Sequence, residues 1–143
     1  MPGLAGWFGN DRSTMFDMET KFNPAKDASV WQICTTTLLS TAPHEGAIRM
    51  TNEAGIENIR EKYLKITGYL VYLVDETISD PPYNFSIGIP KEPERRGGHV
   101  GVEHEDAWRV CKALKARGVI PDFRPPNVIR LAPVPLYISY RDV

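Results

Sequence analysis

The chain has 143 residues, 42% of them hydrophobic and 24% charged, with 17 Lys and Arg against 18 Asp and Glu for a formal net charge of −1. That length suits one domain, or one small domain plus a piece of another. The balanced charge excludes the basic footprint expected of a nucleic-acid binder or of a protein held on an anionic membrane. The longest apolar run, 69–74, is far short of the ~20 residues needed to cross a bilayer. The opening MPGLAGWFG lacks the basic start and long apolar stretch of a signal peptide. Cys34 and Cys111 are far apart and form no CxxC pair, which points to a reducing, cytoplasmic setting.

Residues 1–50 do not read as a self-sufficient domain. Gly3, Gly6 and Gly9 surround Trp7 and Phe8, the composition of a loop gripping something rather than of a regular element. Asn23-Pro24 marks a turn. Residues 30–39 (VWQICTTTLL) have the β-branched density of a strand or extended segment, and the same stretch could open a helix.

From about Thr51 the pattern changes to steps of three and four. Ile56, Ile59, Tyr63, Ile66, Leu70 and Leu73, widened by Leu64, Val71 and Val74, predict an amphipathic helix of about six turns. Such a stripe is core rather than a cofactor box. Gly68 inside it implies close packing, because glycine in a helix costs about 1 kcal/mol relative to alanine. Ser79-Asp80-Pro81-Pro82 ends the helix. Residues 83–90 (YNFSIGIP) and 98–103 (GHVGVE) read as strands joined by a mixed-charge loop, 91–96 (KEPERR), taken as solvated. Glu105-Asp106 opens a second amphipathic helix running to Arg117, with acids at its start and bases at its end as the helix dipole favours. Trp108, Cys111 and Leu114 are its expected buried stripe. Gly118 is placed to end that helix with positive φ. Strands follow at 119–124 and 128–132, separated by Pro125-Pro126-Asn127.

The order helix, strand, strand, helix, strand, strand implies an α/β layer of the α+β kind: a small mixed or antiparallel sheet covered by helices on one face. The first of these helices is the long link into that domain. Division falls at 1–50 and 51–143. Ser139-Tyr140-Arg141-Asp142 resembles a helix cap and first turn just before Val143, so the last helix is expected to be cut short.

Arg130 lies between aliphatic neighbours in 128–132. A buried, unpaired guanidinium is costly, and its planar five-donor fork is matched best by a carboxylate. Two readings are open. The structural one is a partner in an internal Asp or Glu, or an edge position with the head group in water. The functional one is a clamp on the carboxylate of a small ligand. For the histidines the structural reading is favoured. His99 and His104 point to opposite strand faces, and neither they nor His44 gains a third ligand at metal spacing. No serine or cysteine lies in a nucleophile elbow, and no phosphate-cradling loop is present.

The closing stretch GVIPDFRPP followed by NVIRLAPVPLYISYRDV resembles the C-terminal signature of kynureninases, and GWFGNDRSTMFDME resembles that family's GWFGH block. Kynureninases are pyridoxal-phosphate enzymes that hydrolyse L-kynurenine to anthranilate and L-alanine. The match covers nearly the whole chain but only the C-terminal third of such an enzyme. It implies a small domain like the C-terminal one of fold-type I pyridoxal-phosphate enzymes (1–50 being the end of the large cofactor domain). It also implies a place in tryptophan catabolism, on the kynurenine route that feeds NAD biosynthesis, and a homodimer in the full-length form.

By the same resemblance, Arg130 binds the substrate α-carboxylate and the Trp7 indole N–H reaches the cofactor phosphate across a subunit boundary. Cys34 and Thr35 lie beside the substrate's aromatic ring, without deciding between kynurenine and its 3-hydroxy form. Asn10 stands where the family has histidine, a departure to which no role attaches. Seven lysines occur (Lys21, Lys26, Lys62, Lys65, Lys91, Lys112 and Lys115), and none lies in a Schiff-base motif, so no catalytic residue is assigned to this chain. The competing reading is a non-catalytic carboxylate-binding or interaction module built from the same small domain.

Overall fold

The computed structural model describes residues 5–143 and divides into two compact units, Met1–Thr51 and Asn52–Val143. Gly3 lies outside the described residues.

In the first unit the chain makes two short 3-10 turns, Trp7–Gly9 and Ala28–Trp31. An isolated bridge joins Asn10 to Pro24. Asp27 caps the second turn by accepting from the Ser29 N–H at 2.8 Å. Gly6 is required by a close approach: a Cβ there would lie 2.6 Å from the Ile33 Cα. Among the described residues of this unit only Gly9 is buried, and Phe16, Met18, Trp31 and Ile33 are exposed. The expected strand over 30–39 does not form. That stretch is the end of a 3-10 turn, then irregular chain, then the start of α1, Leu38–Ala54. Without a neighbouring strand, β-branched residues alone do not make a ladder. Pro43 and Gly46, both helix-weakening, mask α1 in the sequence. No residue of α1 is buried, and Leu39 is 91% exposed.

The second unit is an antiparallel sheet covered by helices on one face. Helix α2, Ile56–Thr77, follows Gly55, whose φ of +78° turns the chain between α1 and α2. Its stripe is buried at Ile66, Leu70, Val71 and Val74, although Ile56, at the first position, is exposed. The strands are β1 (Ser86–Ile87), β2 (Val100–Glu103), β3 (Asp122–Arg124) and β4 (Val128–Leu131), in the order β1-β2-β4-β3 and antiparallel throughout. Helix α3, Ala107–Lys115, lies between β2 and β3 in sequence.

Register decides which side chains meet. Ile87, Val102, Ile129 and Phe123 form one row across the sheet, and Val100 pairs with Leu131 beside it. Alternation puts all of these on one face, where they join Leu70, Val71 and Val74 of α2 and Ala107 and Cys111 of α3 in a single core. The opposite face carries the row Gly101, Arg130 and Asp122.

Two expectations need correcting. Trp108 is not core but 51% exposed, against Phe123 at 5.3 Å with the Lys112 amine 4.8 Å over its ring. The buried line of α3 runs through Ala107 and Cys111, with Val110 and Leu114 partly buried, and Trp108 is about 100° further round the helix than Ala107. Nor is the 91–96 loop wholly solvated, because Arg96 is buried. Its Nε donates to Thr67 Oγ1 at 3.1 Å, Nη1 to the Lys91 carbonyl at 2.6 Å and Nη2 to the Leu64 carbonyl at 3.2 Å. These acceptors replace the water its charge has lost. The guanidinium also explains Gly68, where an added Cβ would come within 3.2 Å of Nη2.

The end of α3 is closed locally. Gly118 has φ +85°, its N–H donates to the Lys115 carbonyl and the Val119 N–H to the Leu114 carbonyl, a Schellman closure. Replacing Ile129, 2% exposed at the centre of the core, with alanine should lower stability by about 2–5 kcal/mol. Urea unfolding checks this, and an unchanged midpoint would remove Ile129 from the core.

Candidate functional site

The β3–β4 hairpin presents the chain's arginine cluster. Asp122 and Arg130 are directly paired across the ladder, and their side chains rise from the face away from the helices. Arg130 Nη2 donates to Asp122 Oδ2. The same oxygen accepts from Arg124 Nε at 2.9 Å, and Arg124 Nη2 lies 2.8 Å from it in the ion pair. The side chains remain 39% exposed for Arg130 and 45% for Asp122. Arg130 therefore has the internal acid that the structural reading expected. Nε and Nη1 of Arg130 have no partner among the described residues, so most of its five donors stay available.

The electrostatics follow from two guanidiniums around one carboxylate. Burial raises the Asp122 carboxyl, but the hydrogen bond and charge of Arg124, and then the charge and hydrogen bond of Arg130, outweigh it and hold the group below its ordinary value. A carboxyl lowered in this way stabilises the fold fully above its ordinary value, and that contribution is lost as pH falls through the lowered one. One surplus positive charge is left on this corner of the sheet.

The remaining predicted site residues belong to the first unit. Trp7 is exposed, and its Nε1–H donates to the Met15 carbonyl at 2.8 Å while its ring meets Phe16 edge-on at 5.7 Å. Trp7, Asn10, Met15 and Lys21 are among the residues bordering a cleft of about 400 Å³. Asn10 has a definite local role. Its Nδ2 donates to the Trp7 carbonyl at 3.1 Å and the Gly6 carbonyl at 3.3 Å, and its Oδ1 accepts from the Asn23 N–H at 3.2 Å. It fastens the turn that carries Trp7. Cys34 and Thr35 are exposed, with the thiol 3.7 Å from the Thr35 carbonyl. The Gly6–Ile33 approach brings the Trp7 turn beside the Cys34-Thr35 segment. In the second unit, burial pushes the Cys111 thiol up against the pull of Lys115, the state of a core residue rather than a nucleophile.

Asp122 does not stand out among the acids in the sequence, though a signal exists. It and Arg130 are equidistant from Pro126, the centre of the turn, which is the register of a tight hairpin.

Residues 59–143 match the family model described as the kynureninase C-terminal domain. The chain belongs to the kynureninase family. Among the relatives, the kynureninase of Geobacillus thermodenitrificans is 54% identical over 99% of this chain, that of Bacillus cereus (strain ATCC 10987) 52% over 100%, and that of Shouchella clausii 49% over 99%. In each case the chain spans 33% of the relative's length.

Against pyridoxal phosphate, the cofactor this family implies, four of the seven lysines are engaged elsewhere and Lys21 borders the cleft beside Trp7. Lys62 donates to the Pro135 carbonyl at 2.5 Å, Lys65 and Lys91 are paired with Glu61 and Asp75, and Lys112 covers Trp108. The hydrogen bond and charge of Glu61 raise the Lys65 amine, the opposite of what a Schiff-base lysine needs. The indole N–H of Trp7 is already given to Met15.

Removing Arg130 tests the cluster directly. In an NMR titration, Asp122 should titrate below an ordinary aspartate; R130Q should move it up, and R124Q should move it further. Identical curves for R130Q and the native chain would mean that Arg130 does not hold the carboxylate.

Proposed function

We propose that this chain is the C-terminal part of a pyridoxal-phosphate-dependent hydrolase that cleaves L-kynurenine, or 3-hydroxykynurenine, to anthranilate, or 3-hydroxyanthranilate, and L-alanine. Residues 1–50 form the end of the large cofactor domain and 51–143 the small domain. The cofactor, when bound, supplies the electron sink for breaking the carbon–carbon bond. Its lysine and phosphate cup come from outside this chain, so the isolated chain does not carry out the reaction.

The observation that supports this reading most directly is Arg130. It is a half-exposed guanidinium with unpaired donors on the sheet face opposite α2 and α3, in a chain about half identical to kynureninases along its whole length. Its role is to bind the substrate α-carboxylate in two-point contact and so to orient the bond that breaks. Trp7 contributes its indole N–H to the cofactor phosphate once it leaves the Met15 carbonyl, and Cys34 and Thr35 flank the substrate ring. The full-length protein is a homodimer in the cytoplasm.

In the full-length protein, R130K should raise KM for L-kynurenine by about tenfold or more, the equivalent of losing one hydrogen bond to a charged group. An unchanged KM would remove Arg130 from the substrate site. Pyridoxal phosphate added to the 143-residue chain should give no stoichiometric absorbance band that borohydride abolishes. Such a band would show that one of the seven lysines forms the Schiff base after all.

A further inference from the structure

Arg130 presents two bidentate edges, Nε with Nη2 and Nη1 with Nη2, and each Nη carries two hydrogens. Asp122 takes a single hydrogen, from Nη2, through a single oxygen. Whichever edge that hydrogen belongs to, the other is left whole for an incoming carboxylate. Asp122 therefore need not leave for a ligand to bind.

Asp122 is itself held in place. Arg124 grips the same oxygen with Nε and Nη2, at 2.9 and 2.8 Å, and the ladder pairs Asp122 directly with Arg130. Arginine on a strand otherwise has a long, freely rotating side chain. Here its far end is tied to a carboxylate that is tied in turn to a second guanidinium. Two positive charges and one negative leave the cluster one positive charge in excess, the charge that a single carboxylate neutralises.

We propose that Asp122, anchored by Arg124, is a positioning residue for Arg130: it fixes the plane of the guanidinium so that its unoccupied edge accepts one ligand carboxylate. This rests on the reading of Arg130 as the substrate-carboxylate residue. Asp122 touches no substrate atom and acts only through Arg130.

Its removal has two effects of opposite sign. Loss of the negative charge strengthens the attraction of the cluster for a carboxylate and would by itself lower KM. Loss of the fixed plane weakens a two-point contact that forms only when both donors point the same way. The geometric effect is the larger, because the surplus charge is exposed and screened.

The test compares D122N, D122E and R130K in the full-length protein, with L-kynurenine as the varied substrate. D122N should raise KM by about tenfold, less than the roughly hundredfold that a 1 Å misplacement can bring, with the loss falling on KM more than on kcat. D122E, which restores a carboxylate to both arginines where D122N keeps only a neutral amide oxygen, should recover part of it. If R130K raises KM while D122N leaves it unchanged or lowers it, the positioning role is overturned and the carboxylate reading of Arg130 stands. If R130K also leaves KM unchanged, the carboxylate reading fails and the positioning role fails with it. A D122N loss that falls on kcat alone, or that D122E does not recover at all, also overturns the proposal.

Discussion

Everything in the second unit depends on the register of β4 between β2 and β3. With Val102 opposite Ile129 and Ile129 opposite Phe123, the apolar row faces α2 and α3. With Gly101 opposite Arg130 and Arg130 opposite Asp122, the polar row faces away. Side chains alternate with a period of two, so a slip of one residue would drive Arg130 into the core and turn Ile129 out. The apolar burial that stabilises the sheet is thus the same constraint that exposes the arginine cluster.

A buried charge supports the frame from the other side of the core. Arg96 has no carboxylate partner among the described residues and is solvated by the Leu64 and Lys91 carbonyls and the Thr67 hydroxyl. Arg60 adds two bonds in the reverse direction, to the carbonyls of Pro93 and Arg96. Together they fasten the segment before β2 to α2. A Cβ at Gly68 would press against the Arg96 guanidinium at 3.2 Å.

The first unit has a different character. Its described residues leave Trp7, Phe16, Trp31, Ile33 and Leu39 exposed, and its order comes from turns and hydrogen bonds such as those of Asn10 and Asp27 rather than from a core. That agrees with a sequence rich in glycine around Trp7 and poor in periodic apolar patterning. The same weakness of pattern is why 30–39 reads as extended in the sequence and why α1, with Pro43 and Gly46 within it, leaves no periodic signal.

By itself the sequence determined the elements whose signals are local. The stripe of α2, the Gly118 stop, the Pro-Pro turn and the strands on either side of it could be read from spacing and backbone chemistry, and two motifs near opposite ends pointed to the kynureninase family. Tertiary structure alone decided what depends on non-local contact. It turned Trp108 outward and Arg96 inward, because helix phase and available acceptors, not residue type, set burial. It also settled Asp122 among the chain's acids as the partner of Arg130, because the equal spacing about Pro126 becomes a contact only once the strand register is set.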